Sequence, residues 1–125
     1  MNRRDFGDQG ERLAADFLRR KRYRILETNY SRPTGEIDII ARQGKTLVFI
    51  EVKRRSSLRY GRPSQAVDRG KQAHILRTAA LYLKERDLWE APMRFDVVEI
   101  LPGENLPCEI RHIENAFDAS ALKKR

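Results

Sequence analysis

The 125-residue sequence has no long apolar run, a single cysteine and only two histidines. No window approaches the roughly 18 uninterrupted apolar residues of a membrane-spanning helix, so we do not expect an integral membrane protein. The basic start at residues 1–13 is followed by no apolar stretch, so we expect no secretory signal. Cys108 has no second cysteine for an internal disulfide or a CxxC zinc site, which fits a reducing, cytoplasmic location.

Positive charge is what the sequence has in excess, with 26 Lys and Arg residues against 18 Asp and Glu residues and a net charge of +8. Residues 1–62 hold 16 basic and 8 acidic residues, whereas residues 63–125 hold ten of each. One basic run is also typical of a solvated helix face. Several clusters in one half of the chain favour a polyanionic partner, and nucleic acid is the commonest such partner.

The spacing of apolar residues predicts one domain over residues 1–120, followed by a basic tail at 121–125. Recurrence at three and four residues indicates helices, and short β-branched and aromatic runs indicate strands. The predicted elements are a helix at 6–22, strands at 23–30, 36–42 and 46–53, a helix at 66–86, and strands at 93–101 and 109–113. The order α-β-β-β-α-β-β predicts a mixed α/β layer.

The strands at 36–42 and 46–53 form a predicted hairpin around Gly44. A two-residue turn with glycine first is typical of a type II′ hairpin, and it places Gln43 opposite Thr46. Asp38 then lies directly opposite Glu51, and Lys53 shares their face because side chains alternate along a strand. The same register collects six apolar side chains on the other face: Ile37, Ile39, Ala41, Val48, Ile50 and Val52.

Two carboxylates and a lysine on one strand face have a chemical use. Directly opposite Cβ atoms lie roughly 4.5–5.5 Å apart, so Asp38 and Glu51 repel each other unless a cation neutralises them. Mg²⁺ or Mn²⁺ held by both could activate a phosphodiester, and Lys53 could orient the attacking water. The alternative is a surface salt bridge with Lys53, but the apolar strands favour a central position where unpaired charges are costly.

These residues resemble the motif of the PD-(D/E)xK nuclease superfamily. Asp38 matches its aspartate, residues 51–53 match its ExK segment, and Ile37 stands in place of its proline. The resemblance implies a restriction-endonuclease-like core, with a mixed sheet of about five strands flanked by helices. Residues 7–13 are similar to a helix of archaeal Holliday junction resolvases, which implies that Glu11 joins the catalytic residues. An exposed helix glutamate is the alternative for Glu11.

The whole chain resembles the YraN-like family of small bacterial proteins, which is assigned to the nuclease fold. The shared segments are Gly-x-x-Gly-Glu at 7–11, Gly-Glu-Ile-Asp-Ile-Ile at 35–40, Phe-Ile-Glu-Val-Lys-Arg-Arg at 49–55, Ala-Val-Asp with Lys-Gln at 66–72, and His-Ile-Glu-Asn-Ala-Phe at 112–117. The two resemblances imply a Mg²⁺-dependent nuclease that hydrolyses DNA phosphodiester bonds, with branched or junction structures among the candidate substrates. The alternative function is a non-catalytic nucleic-acid-binding protein with the same fold.

The remaining predictions concern the surroundings of the motif. Glu36 is either a further metal ligand or a partner of Arg54 or Lys53, and Gln65 is a possible additional site residue. His74 and His112 are too isolated for a metal site, which favours structural roles. A homodimer is expected only by analogy with junction resolvases. The expected nucleic-acid contacts are Arg54, Arg55, Arg59, Arg62 and Lys71.

Overall fold

The computed structural model describes residues 3–54, 69–101 and 109–118. Two helices and five strands follow the predicted order α-β-β-β-α-β-β, which confirms the mixed α/β class. The elements are α1 (Arg3–Arg20), β1 (Arg24–Arg32), β2 (Gly35–Gln43), β3 (Thr46–Arg54), α2 (Arg69–Arg86), β4 (Met93–Leu101) and β5 (Glu109–Phe117).

The five strands form one sheet in which spatial order equals chain order, β1-β2-β3-β4-β5. Strands β3 and β4 pair in parallel, and the other neighbouring pairs are antiparallel. A parallel pair needs a crossover, and α2 lies within that connection. Within the described residues, neither helix has the combination of length and apolar character that crossing a membrane requires.

Each face of the sheet is covered by one helix, so the central strands are buried on both sides. On the α1 face, Leu18 packs in a cluster with Ile39 and Ile50. On the α2 face, Leu83 belongs to a cluster that contains Phe49 and other large side chains of the central strands. Burial on both faces explains why β3 and β4 are almost continuously apolar rather than alternating. Polar side chains within these strands are therefore costly and few.

Several element boundaries differ from the predictions. Residues 31–35, predicted as a loop, are largely strand, because Arg32 pairs directly with Gly35 and leaves only a tight turn at 33–34. Strand β5 continues to Phe117 rather than ending at residue 113. Its pairing with β4 is irregular between Phe95 and Val97, and such an irregularity disguises the alternation by which a strand is recognised.

The predicted hairpin register is confirmed: Gln43 pairs with Thr46 and Ile39 with Ile50. Gly44 has a φ of +58°, as the first position of a type II′ turn requires. The placement of Ile37 on the apolar face with Ile39 was wrong, because Ile37 packs in the α2-side cluster and Ile39 in the α1-side cluster. The described pairing of β2 with β3 ends at Ile39, next to Asp38, and there the alternation is interrupted.

Candidate active site

Charged side chains from several elements converge at the end of the sheet where β2 begins and β3 ends. Glu11 comes from α1, Glu36 and Asp38 from β2, and Glu51 and Lys53 from β3. Glu11, Glu36 and Asp38 each offer a carboxylate oxygen, and these oxygens all lie within 4.8 Å of one another. The structure therefore brings together the helix glutamate and the hairpin aspartate, which are 27 residues apart in sequence.

Asp38 occupies the centre of this carboxylate cluster. Its Oδ2 accepts a hydrogen bond of 2.8 Å from the backbone N–H of Val52 on the neighbouring strand. Burial raises the pKa of Asp38 to about 8, and the negative charges of Glu51, Glu11 and Glu36 act in the same direction. The Val52 hydrogen bond opposes the rise without cancelling it. Burial and neighbouring negative charge at Asp38 thus favour binding of a proton or a cation.

Glu51 is buried, with 6% of its surface exposed, and it is neutralised by two lysines. Lys71 of α2 donates a short hydrogen bond to its Oε1, and the Nζ of Lys53 lies 3.5 Å from the same oxygen. Lys71 was predicted to contact either nucleic-acid phosphate or the site, and the structure places it on this carboxylate of the site. Glu51 consequently lies beside the three-carboxylate cluster and has its own cationic partners.

The two lysines differ in how readily they lose a proton. Burial lowers the pKa of Lys53 below its usual value, and the neighbouring charge of Lys71 lowers it further. Burial also acts to lower the pKa of Lys71, but hydrogen bonds with Glu51 and Lys53 outweigh it and raise the pKa overall. Lys53 is therefore the better proton acceptor of the pair, and Lys71 is the more persistent cation.

A cleft of about 540 Å³ opens beside Asp38 and Glu51. It lies between the β1–β2 turn and the first half of α2, and His74 lines it. The Nδ1 of His74 donates to the carbonyl oxygen of Thr34 at 3.2 Å. The ring nitrogen that remains for a ligand in the cleft is therefore Nε2. His74 was expected to be structural, and its position beside the site is a finding that the sequence did not signal.

Gly35 fixes the turn against α2. Its φ is +148°, and a Cβ at this position would lie 3.2 Å from Thr78 Oγ1 and 3.3 Å from His74 Cβ. The hydroxyls of Thr34 and Thr78 are hydrogen-bonded at 2.7 Å across the same contact. Only glycine accommodates this close approach without displacement. Because Lys71 lies one helical turn before His74, the contact also positions the lysine that binds Glu51.

The model of a family described as "Uncharacterised protein family UPF0102" matches residues 10–100, a range that includes Glu11, Asp38, Glu51 and Lys53. The chain belongs to the UPF0102 family. The resemblance to YraN-like proteins is thereby confirmed at the level of the family.

Similar UPF0102 proteins match over almost their whole length. The UPF0102 protein of Symbiobacterium thermophilum is 47% identical over 95% of this chain and 100% of its own. That of Geobacter metallireducens is 45% identical over 94% of this chain and 96% of its own. That of Caldicellulosiruptor saccharolyticus is 42% identical over 94% of this chain and 100% of its own. These names describe the family and assign no reaction to it.

Four of the predicted site residues of this UPF0102 chain lie outside the described residues: Arg55, Arg59, Arg62 and Gln65. Arg54 is exposed at the end of β3, next to the lysine of the motif, which is compatible with the predicted phosphate contact. Glu36 is also exposed, and the structure places it with Glu11 and Asp38 rather than in an ion pair with Lys53.

Two buried acidic residues of β4 were missed by the sequence reasoning. Glu99 is 2% exposed and is the direct register partner of Lys53 on the neighbouring strand. Asp96 is fully buried and accepts hydrogen bonds from Arg94 Nε at 3.0 Å and from His112 Nε2 at 2.7 Å. The sequence did contain a signal for these two residues, because both are acidic and stand in an otherwise apolar strand. Buried charges are retained only where they have partners.

Proposed function

We propose that this UPF0102 protein is a Mg²⁺- or Mn²⁺-dependent nuclease that hydrolyses DNA phosphodiester bonds, with branched or junction DNA as the preferred substrate. We also propose that it belongs to the PD-(D/E)xK superfamily, with the restriction-endonuclease-like fold. One observation carries the proposal: the carboxylates of Glu11, Glu36 and Asp38 converge within 4.8 Å beside the Glu51–Lys53 pair. Separate elements supply these groups, and all are oriented toward one end of the sheet.

The donor set fits a hard divalent cation. Mg²⁺ prefers carboxylate oxygens and keeps several waters, so a few converging carboxylates form a suitable partial ligand set. Burial is the main cause of the raised pKa of Asp38, and neighbouring negative charges, which a cation would compensate, add to it. Asp38, Glu11 and Glu36 would hold the ion, and Glu51 could join them if Lys71 released its carboxylate. When bound, Mg²⁺ supplies Lewis-acid stabilisation of the phosphoryl oxygens.

The lysines and arginines complete the proposed mechanism. Lys53, whose pKa is lowered by burial, orients the attacking water and accepts its proton at Nζ. Lys71 keeps the buried charge of Glu51 neutralised while the substrate is absent. Arg54 lies exposed just beyond Lys53, where it holds the phosphate backbone of the substrate by charge-assisted hydrogen bonds.

The second candidate function is a non-catalytic nucleic-acid-binding protein. One observation favours it: Glu51 has two lysine partners, so this part of the site is stable without a cation. In that case the basic surface would bind the nucleic-acid backbone, and the carboxylates would fix the fold. The two candidate functions differ in whether the carboxylate cluster takes part in a chemical reaction.

A cleavage assay tests the proposed function. The wild-type protein is incubated with linear, flapped and four-way-junction DNA and with RNA, with Mg²⁺ or Mn²⁺. We expect cleavage to fall at least about 100-fold in Asp38→Asn and Lys53→Met, the usual effect of losing a metal ligand or general base. Asp87→Asn, which removes an exposed carboxylate just after α2, is the matched control. Binding without cleavage favours the second candidate, and full activity in Asp38→Asn refutes the proposed site.

A further inference from the structure

The end of α1 carries a basic turn, residues 20–24, much of whose charge has no ion-pair partner in the part of the chain that the structure describes. Arg20, Arg22 and Arg24 are exposed, and none of them forms an ion pair within residues 3–54, 69–101 and 109–118. Arg24 also lies directly opposite Arg42 in the pairing of β1 with β2. Like charges opposite each other destabilise a sheet. Fold stability alone therefore does not explain this concentration of arginine.

The backbone conformation of the basic turn is a second, independent observation that indicates a functional role for Arg22. Helix α1 ends with hydrogen bonds from Tyr23 N to Leu18 O at 3.0 Å and from Arg22 N to Arg19 O at 2.9 Å, the pattern of a Schellman motif. Arg22 has a φ of +70° at the position that glycine usually occupies. An arginine here is strained where a glycine is not.

The basic turn is also fixed to the body of the protein. Lys21 Nζ donates to His112 Nδ1 at 2.7 Å, so His112 carries its proton on Nε2 and donates it to the fully buried Asp96. This chain of hydrogen bonds connects the turn to β5 and β4. The arginines beside Lys21 are thus presented from a rigid support, which lowers the entropic cost of binding a ligand.

A groove extends from Glu11 of the candidate active site to Arg19, the residue before the basic turn. It has a volume of about 430 Å³ and lies between α1 and β1, with Glu11 near one end and Arg19 near the other. That separation corresponds to about 12 Å along the helix. Among the described residues, Arg19 forms an ion pair only with the exposed Asp16, a type of surface pair that is readily exchanged for a phosphate contact. The described lining has no aromatic ring, so the groove offers no surface for stacking bases.

From this geometry we propose that the groove and the basic turn bind the sugar–phosphate backbone of one strand in a duplex arm of the nucleic acid. Arg20, the last residue of α1, lies about 14 Å along the helix from Glu11 and Arg22 follows just beyond it, whereas a strand advances about 3.4 Å per base pair. The anchor therefore contacts phosphates about five base pairs from the carboxylate cluster. The position of the cut rests on the proposed function, whereas the backbone contact does not. Contacts to phosphate carry no sequence information, so binding here is independent of base sequence.

The test uses Arg22→Gly, because it removes the charge and also relieves the backbone strain. Binding to a fluorescein-labelled duplex is measured by anisotropy in EDTA, where no metal-dependent cleavage occurs. We expect Arg22→Gly to melt at a higher temperature than the wild type, yet to bind about fivefold more weakly at 0.15 M salt. The slope of log affinity against log salt should be about 0.9 less steep, the value for one lost phosphate contact. Arg22→Lys should retain binding.

Lys84→Ala is the matched control, because it removes one exposed positive charge from α2, on the other face of the sheet. If it weakens binding as much as Arg22→Gly, the effect is one of net charge and the anchor is wrong. An unchanged salt slope in Arg22→Gly overturns the proposal as well. The proposal is also overturned if Arg22→Gly loses binding to anionic phosphatidylserine vesicles while its affinity for DNA is unaffected, because the basic turn would then bind a membrane surface.

A second measurement tests the expected separation of about five base pairs between the basic turn and the carboxylate cluster. Duplex arms are shortened from roughly ten to three base pairs, and the defect of Arg22→Gly should disappear below about five base pairs. A defect that persists on the shortest arm overturns the placement. If the wild type cuts no substrate and Arg22→Gly still loses binding, the nuclease proposal fails and the anchor stands.

Discussion

Replacing Asp38 by asparagine should make the metal-free protein more stable at neutral and alkaline pH. Asparagine has nearly the same shape, and its carbonyl oxygen can still accept the hydrogen bond from Val52 N–H. It cannot ionise, however, among the carboxylates of Glu51, Glu11 and Glu36. The substitution therefore removes the electrostatic cost of the cluster while it keeps the hydrogen bond.

The magnitude follows from the raised pKa. Burial and neighbouring charges shift the Asp38 carboxyl from 3.8 to about 8. Between these values the unfolded chain has lost the proton and the folded chain has kept it, so folding stability falls as pH rises. Each pKa unit corresponds to about 1.4 kcal/mol, so the upper bound is on the order of 5 kcal/mol. The advantage of Asp38→Asn should be near zero at pH 4 and complete above pH 8.

Urea denaturation from pH 4 to pH 9 in EDTA measures this difference. The single tryptophan, Trp89, packs against the α2-side cluster and provides the fluorescence signal. Asp16→Asn is the control. Because Asp16 is exposed, the plot of stability against pH for this variant should run parallel to that of the wild type. Parallel curves for wild type and Asp38→Asn over this whole range would refute the reasoning. Mg²⁺ at tenfold excess over its dissociation constant should stabilise the wild type by about 1.4 kcal/mol and Asp38→Asn by less.

Three further predictions concern the support of the site, each measured by urea denaturation. Gly35→Ala should cost about 1–3 kcal/mol because its Cβ meets α2, whereas Gly44→Ala, which meets no atom within 4 Å, should cost only about 1 kcal/mol. Asp96→Ala should cost about 3–5 kcal/mol because it leaves the partly buried guanidinium of Arg94 without its carboxylate. Burial acts to raise the pKa of Asp96, but its hydrogen bonds lower it overall, so its contribution is lost as pH falls through the lowered pKa. Phe49→Ala should cost about 3–5 kcal/mol, because Phe49 is 1% exposed in the α2-side cluster.

The hairpin was the most predictable part of the molecule. Strand periodicity and one glycine turn determine its register, and both are local properties that a sequence states directly. The convergence of Asp38 with Glu51 and Lys53 on one end of the sheet followed from that register. The position of Glu11 required the packing of α1 on the sheet, so only the resemblance to junction resolvases suggested it.

The rest of the site depends on contacts between distant segments. Lys71 was expected to contact either phosphate or the site, because nothing near it in the sequence identifies Glu51 as its partner. The side on which Ile37 packs was mispredicted because strand alternation assumes an uninterrupted ladder, and the described ladder of β2 with β3 ends beside Asp38. Tertiary contacts of this kind override local pattern, and periodicity does not report them.

The fit of Gly35 against α2 bears on whether the hairpin of β2 and β3 could be transplanted. A peptide of residues 35–54 would include Asp38, Glu51 and Lys53, but it would lack Glu11 and Lys71. A graft into another scaffold would need a helix that approaches the hairpin as closely as α2 does, and a second helix on the opposite face. A functional transplant would therefore have to include the whole layered domain, of which the short motif that suggests a nuclease is only one segment.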